Sequence, residues 1–285
     1  MATHPSPSTR APGAAPDDDV HGSPETGTEG DSDSAADGWF PESVAARYDT
    51  SSDREFDPAV VARTVDVLAG LAGDGAALEL AVGTGRVAAP LALRGVPTRG
   101  IELSRAMAAR VADKPGGDRV EVTIGDMTSA RVPGEFAVAY LVFNTIGNVT
   151  TQDGQVDCFR TAAAHLRPGG HFVVEVGVPP LRRMPPGQDT VPFAVAPAEA
   201  GGGYVGLDRI DVVTQRFTSN HVTVGADGTG RFRWLPFRYV WPAELDLMAR
   251  FAGMRLVDRW EDWDGTPFTA ESERHVSVWQ LAPSS

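Results

Sequence analysis

The chain has 285 residues, 42% of them hydrophobic, and a net charge of −13, which is apolar mass enough for one large α/β domain or two modest ones. Within residues 1–40 eight acids (Asp17, Asp18, Asp19, Glu25, Glu29, Asp31, Asp33 and Asp37) face only Arg10, so −6 of the charge is left to the other 245 residues; no run of Lys and Arg supplies the concentrated basic surface that a nucleic-acid partner requires. No apolar run reaches the roughly 18 residues of a membrane span, no signal-like apolar stretch opens the chain, and the single cysteine, Cys158, excludes an intrachain disulfide framework and a clustered thiolate metal site.

These features predict a cytoplasmic protein with a small-molecule partner, without nucleic acid, membrane or a resident metal. No motif distinguishes a monomer from a homodimer. Residues 1–38 are rich in Pro, Gly, Ser, Ala and Asp and have no hydrophobic period, so nothing there offsets the entropy of ordering. We expect a disordered acidic tail, with Trp39, Phe40 and Pro41 as the first anchor.

Apolar residues recur at helical spacing over 58–71 (Val60, Val61, Val65, Val67, Leu68) until Gly70 and Gly73 break the pattern. A buried strand is predicted over 76–82. Gly83, Thr84 and Gly85 follow it, then a helix to Arg94 that Gly95 stops. A second strand is predicted at 98–103, and Ser104 can cap a helix over 105–112. Strands three and four fall at 119–124 and 135–143, the latter apolar enough for burial on both faces. A helix over 152–166 runs into Pro168, Gly169 and Gly170, and strand five follows at 171–176. This alternation specifies an open, largely parallel α/β sheet with right-handed crossovers.

The pattern then changes. Residues 178–203 are dominated by Pro, Gly and Ala and are predicted as a loop. Strands are predicted at 208–217, 221–224 and 231–241, the last two joined by the turn Asp227-Gly228. They form a small antiparallel insertion, expected to act as a lid over 178–241. A helix over 242–251 ends at Gly253, and strands at 255–260 and 275–281 close the chain. The expected organisation is a tail (1–38), a cap and cofactor-binding core (39–177), the lid (178–241) and the rest of the core (242–285).

The sharpest local signal is Leu78-Glu79-Leu80-Ala81-Val82-Gly83-Thr84-Gly85-Arg86. Its glycines permit a tight turn and a close ligand approach, and the helix behind it offers unpaired N–H groups. The third glycine of a dinucleotide fingerprint is replaced by Ala88, and no P-loop signature occurs. Glu102, ending the second strand, can accept both hydroxyls of a ribose, in NAD or in S-adenosylmethionine (SAM) alike. Gly125-Asp126-Met127, after strand three, can place a carboxylate at an adenine amino group and a thioether on its ring.

These stretches, together with Leu141 to Asn144 and the Leu166-Arg167-Pro168-Gly169-Gly170 run, resemble the class I SAM-dependent methyltransferases, over roughly residues 45–285. The resemblance implies a Rossmann-like seven-stranded sheet with an antiparallel last strand. It assigns Glu79 and the Gly83 to Gly85 turn to the methionine part of SAM, Glu102 to the ribose, and Asp126 with Met127 to the adenine, with Ala81, Arg86 and Leu103 as further cofactor-binding residues. Phe143, Asn144 and Thr145 would border the methyl group or the amino-acid part of the cofactor. Tyr48 matches a tyrosine that closes over the cofactor in members acting on small molecules. The chain departs from the family at Ala137, where an acid is common, and in Asn144-Thr145-Ile146-Gly147, which is unlike the Asn-Pro-Pro-Tyr run of many nucleic-acid methyltransferases.

On the acceptor side, Glu175 ends strand five and is expected as a base or a substrate-binding group. His275 is the second base candidate. Asn144, Trp234 and Tyr239 are the further substrate-binding candidates, the last two from an aromatic series of the insertion. The expected activity is transfer of a methyl group from SAM to an N, O or C nucleophile of a small molecule such as a specialised metabolite, including those of antibiotic biosynthesis. An NAD-dependent oxidoreductase and a non-catalytic SAM-binding regulator remain as alternatives.

Overall fold

A computed structural model of the protein describes residues 38–50, 54–198 and 201–283; the predicted acidic tail lies almost wholly outside them. A short helix α1 (Glu42–Tyr48) leads into α2 (Pro58–Ala72). Pro58 occupies the first turn of α2, where its missing N–H costs nothing, and Asp57 caps it by accepting from Ala59 N at 2.8 Å. Then β1 (Ala77–Leu80), α3 (Ala88–Leu93), β2 (Thr98–Glu102), α4 (Arg105–Ala109), β3 (Val120–Ile124), β4 (Phe136–Leu141), α5 (Gln152–His165) and β5 (Leu166–Gly177) alternate. Ser104 and Thr151 cap α4 and α5 through their hydroxyls.

These strands join β10 (Met254–Trp260) and β11 (Arg274–Leu281) in a seven-stranded sheet of order β10-β11-β5-β4-β1-β2-β3. Only β11 runs against its neighbours, antiparallel to both β5 and β10. The seven-stranded Rossmann-like expectation is met. The order reverses direction between β1 and β4, and the carboxyl ends of the strands there form the crevice in which such sheets bind ligands.

Both faces of the sheet are covered. Val65, Leu68 and Ala72 of α2 and Leu91 of α3 pack on Val138, Tyr140, Val173 and Val276. On the other face Phe159 of α5 and Leu245 and Met248 of α6 (Pro242–Phe251) pack on Leu80, Phe172 and Trp279. Phe159 meets the rings of Phe172 and Trp279 edge-on at 5.0 and 5.3 Å, a geometry that adds to the area buried.

A separate four-stranded antiparallel sheet contains β6 (Thr190–Pro197), β7 (Gly203–Asp211), β8 (Arg216–Val224) and β9 (Gly230–Arg238). Two sequence expectations change here. Residues 178–203 are not a plain loop, because β6 lies within them; it is the edge strand, where Pro192 loses no ladder bond that the sheet requires. The predicted strand 208–217 is instead a hairpin that turns at 212–215. Val212 and Val213 imitate strand residues but are 60% and 89% exposed, while Asp211 accepts from Val213 N and from the Thr214 hydroxyl and Gln215 adopts a φ of 58°. The turn at Asp227-Gly228 forms as expected, with Gly228 at φ 80°. Within β5, the run Leu166-Arg167-Pro168-Gly169-Gly170 is the irregular start of the strand, marked by a register shift against β4.

Candidate functional site

The chain leaves β1 through three left-handed residues in five: Ala81 (φ 58°), Gly83 (57°) and Gly85 (79°). An alanine in this region is strained, and the surrounding hydrogen bonds hold it there. Val82 N donates to Ile101 O and Gly85 N to Val82 O, both at 2.9 Å. Gly83 N donates to Glu102 Oε2 at 2.8 Å and Ser104 N to Glu102 Oε1 at 2.9 Å. Glu102 thus ties the ends of the first two strands together.

Beside that turn is a cavity of about 210 Å³, bordered by Trp39, Phe40, Glu102, Leu103, Asp126 and Met127 among others. Asp126 Oδ1 accepts from Thr128 N at 2.8 Å, which orients the carboxylate; Asp126 and Leu103 are exposed and Met127 is half-buried. A larger surface groove of about 360 Å³, including Pro97, Arg119 and Pro133 in its lining, lies at the opposite, amino ends of the strands. None of the candidate residues borders that groove, so size does not identify the site.

Glu79 is buried beneath the glycine turn and accepts from the Tyr140 hydroxyl at 3.0 Å. Burial pushes its pKa up to about 8, against the lowering effects of Arg86 and the Tyr140 hydrogen bond. Arg86 packs its guanidinium 5.1 Å from the Phe56 ring centre and 5.4 Å from that of Phe143, and donates to Glu55 O. Tyr48 stands edge-on to Phe40 and Phe56, and Phe56 edge-on to Phe143. The segment before α2 therefore closes an aromatic cluster over the strand ends. The Thr84 hydroxyl donates to Asp49 Oδ1 at 2.7 Å and pins the glycine turn to this segment.

Phe143 (φ 55°) and Asn144 (φ 58°) continue the backbone beyond β4 in left-handed conformations. Glu175, buried at the end of β5, holds them: its Oε2 accepts from Phe143 N at 3.1 Å and its Oε1 from Trp263 Nε1 at 2.9 Å. Burial raises the Glu175 pKa, opposed by these two hydrogen bonds. Asn144 Oδ1 accepts from Gly177 N at 2.6 Å and Asn144 N donates to Glu175 O. These two candidates knit the strand ends together instead of opening onto the cavity.

The structure also places His275 elsewhere. It is fully buried, with Nδ1 2.8 Å from Ser277 Oγ and Nε2 without a hydrogen-bond partner among the described residues. Burial, together with the positive charge of Arg259, lowers its pKa to about 3. A strand-end position predicts proximity to the crevice but not the direction of the side chain, and neither Glu175 nor His275 lines the cavity. Tyr239 is likewise buried, edge-on to Trp241. Trp234 is 44% exposed and lies 5.1 Å from the Trp39 ring, at the edge of the cavity roof.

The four-stranded sheet is fastened to the core by a buried polar knot. Arg238, at the end of β9 and 4% exposed, donates to Glu244 Oε1 at 2.7 Å and Gln215 Oε1 at 2.8 Å, and also to Gln155 of α5. The sequence reading missed the knot, and it missed Phe56 and the cavity-lining roles of Trp39, Phe40 and Asn148. The apolar triplet Trp39-Phe40-Pro41 directly after an acidic stretch was the available signal for the roof.

Comparison with known proteins accords with this geometry. A family described as a methyltransferase domain matches residues 77–170. The chain is 27% identical over 214 residues to a cypemycin N-terminal methyltransferase from a Streptomyces species, covering 70% of this chain and 81% of that protein. It is 33% identical to the CcbJ methyltransferase from Streptomyces caelestis, with a TM-score of 0.76 over 86% of this chain and 98% of that one. The fold also matches SAM-bound CalS10, an amino pentose methyltransferase from Micromonospora echinaspora, at a TM-score of 0.62 and 19% identity over 84% and 95% of the two chains. Shared architecture and sequence thus decide for SAM over a nicotinamide dinucleotide, and for an enzyme over a passive binder: the chain belongs to the class I SAM-dependent methyltransferases.

Proposed function

We propose that the protein transfers the methyl group of SAM to an amine nitrogen of a small specialised metabolite. The observation that carries this reading is that neither candidate base lines the cavity. Glu175 is buried, with Phe143 N and Trp263 Nε1 donating to its carboxylate, and His275 is fully buried. A hydroxyl acceptor needs a base beside the reacting oxygen, whereas an amine needs only to arrive unprotonated. The relative that methylates the N-terminus of cypemycin supports the same acceptor chemistry.

When bound, SAM supplies an electrophilic methyl on a sulfonium, and displacement in line with the C–S bond leaves a neutral thioether. In this reading Glu102 accepts the ribose hydroxyls, Leu103 and Met127 cover the adenine faces, and Asp126 accepts from its amino group. The Ala81-to-Gly85 turn, Glu79 and Arg86 receive the methionine part. Tyr48, Phe56 and Phe143 exclude water above the reacting centre, and the sheet of β6 to β9 acts as the lid with Trp234 at its edge. Much of the acceleration then comes from positioning and dehydration. Incubation with methyl-labelled SAM and acceptors that differ only in bearing an amine or a hydroxyl tests the reading. Label is expected on the amine; label on the hydroxyl partner would overturn it.

A further inference from the structure

We propose that Asp208, on the cleft-facing side of the lid, binds the protonated amine of the acceptor and that Ser219 and His221 carry away its proton. The inference rests on the amine reading above and assigns the residues that serve it. In an antiparallel sheet, directly paired residues and residues two apart share one face. The register pairs Asp208 with Ser219 and Ser219 with Leu235, Gly206 with His221 and His221 with Arg233, and Phe217 with Phe237. These rows therefore lie on one side of the lid.

That side meets the core at two places. A Cβ on Gly147, in the turn after β4 that borders the cavity, would stand 3.5 Å from the Phe237 ring. Arg233 donates to the carbonyl of Trp39, in the cavity roof, at 3.1 Å. The row of Asp208 falls midway between these contacts and that of His221 coincides with the Arg233 contact, one row being roughly 7 Å of strand.

Between them runs a continuous hydrogen-bonded chain. Tyr204 Oη lies 2.6 Å from His221 Nδ1, and His221 Nε2 lies 3.3 Å from Ser219 Oγ. The Ser219 hydroxyl in turn hydrogen-bonds the Asp208 carboxylate. Phe193 packs edge-on to the His221 ring at 5.6 Å. It can do so only because residue 206 is glycine: a Cβ there would sit 2.3 Å from the Phe193 ring. The chain ends on an open position, because Asp208 Oδ1 is buried and has no hydrogen-bond partner among the described residues. A buried carboxylate oxygen without a donor is costly, and a cationic N–H donor is the complementary ligand. The other charged groups of this face are Arg231 and Arg233, exposed on β9, with Arg47 near Arg233; none pairs with Asp208.

The step balances. The ammonium N–H bond breaks, and its proton passes to Asp208 and through the Ser219 hydroxyl to His221, which releases it to solvent. The electron pair left on nitrogen forms the new C–N bond while the C–S pair returns to sulfur. Asp208 touches the acceptor; Ser219 and His221 act through it as positioning residues.

Two measurements test this. In protein carrying ¹³C-labelled aspartate and bound to S-adenosylhomocysteine, n-butylammonium should shift the Asp208 carboxyl resonance saturably and n-butanol should not. That resonance is identified by its loss in Asp208→Asn, and no shift, or an equal shift with the alcohol, overturns the assignment. In turnover of an amino pentose methyl glycoside, Asp208→Asn should raise KM by about 10- to 100-fold, the loss expected for one hydrogen bond to a charged group, with the Kd for SAM unchanged. Ser219→Ala should give a smaller rise and Asp208→Glu should recover part of the loss. Methylation of the amine with an unaltered KM in Asp208→Asn refutes Asp208 alone. Methylation of the hydroxyl counterpart in place of the amine refutes the amine reading beneath it.

Discussion

Replacing Glu79 with Gln tests the electrostatics beneath the glycine turn. Glu79 is 3% exposed, accepts from the Tyr140 hydroxyl, and burial raises its pKa from 4.5 to about 8. The folded state therefore holds this proton more tightly than the unfolded chain. The stability contribution is complete below about pH 4.5 and is lost as the pH rises toward 8. At about 1.4 kcal/mol per pH unit, the whole window amounts to about 5 kcal/mol, and about half of it falls between pH 5 and 7. Gln is nearly isosteric, can still pair with Tyr140 and does not titrate. Urea unfolding of the two SAM-free proteins should show the variant gaining about 2 kcal/mol on the wild type between pH 5 and pH 7. Parallel stability profiles over that interval would refute an uncharged, buried Glu79.

Three further outcomes follow from the same structure. Arg238→Leu leaves Glu244 without its buried partner; at about 3 kcal/mol for a broken buried pair, Tm should fall by roughly 6 °C in a domain of this size, and a fall under about 2 °C contradicts the knot as a fastener. The His275 ring should remain neutral from pH 8 down to pH 5 in an NMR titration, since its pKa is about 3. Because that value lies below the unfolded one, His275 removes stability as the pH falls below about 6.5, and a titration midpoint near 6.5 would show that it is not buried as described. Glu102→Ala removes the acceptor for the ribose hydroxyls and frees the Gly83 and Ser104 amides. It should weaken SAM by about 10- to 100-fold in calorimetry; an unchanged Kd would place the ribose elsewhere.

The core of the fold was legible because its signals are local. The glycine turn after a buried strand, Glu102 and Asp126 at the ends of the next two, and capping residues such as Ser104 each announce themselves within a few positions. The antiparallel sheet was legible in kind but not in boundaries. The edge strand around Pro192 looked like a loop, and Val212 and Val213 made a hairpin turn look like strand. The acceptor side was the least legible because it depends on which way a side chain points and what it meets. Glu175 and His275 have suitable chemistry and suitable positions along their strands, yet one anchors Phe143 and Trp263 and the other is buried beside Ser277. Asp208, Ser219 and His221 drew no notice in the sequence, because only the pairing register of β7 with β8 brings them together.

The crystal structure of the complex with S-adenosylhomocysteine tests the central claim most directly. The account predicts the ribose hydroxyls on the Glu102 carboxylate, the adenine amino group at Asp126 and the thioether sulfur beneath Tyr48, Phe56 and Phe143, facing the Asp208 side of the lid. A ligand whose ribose bypasses Glu102, or whose sulfur points away from the lid, would contradict it.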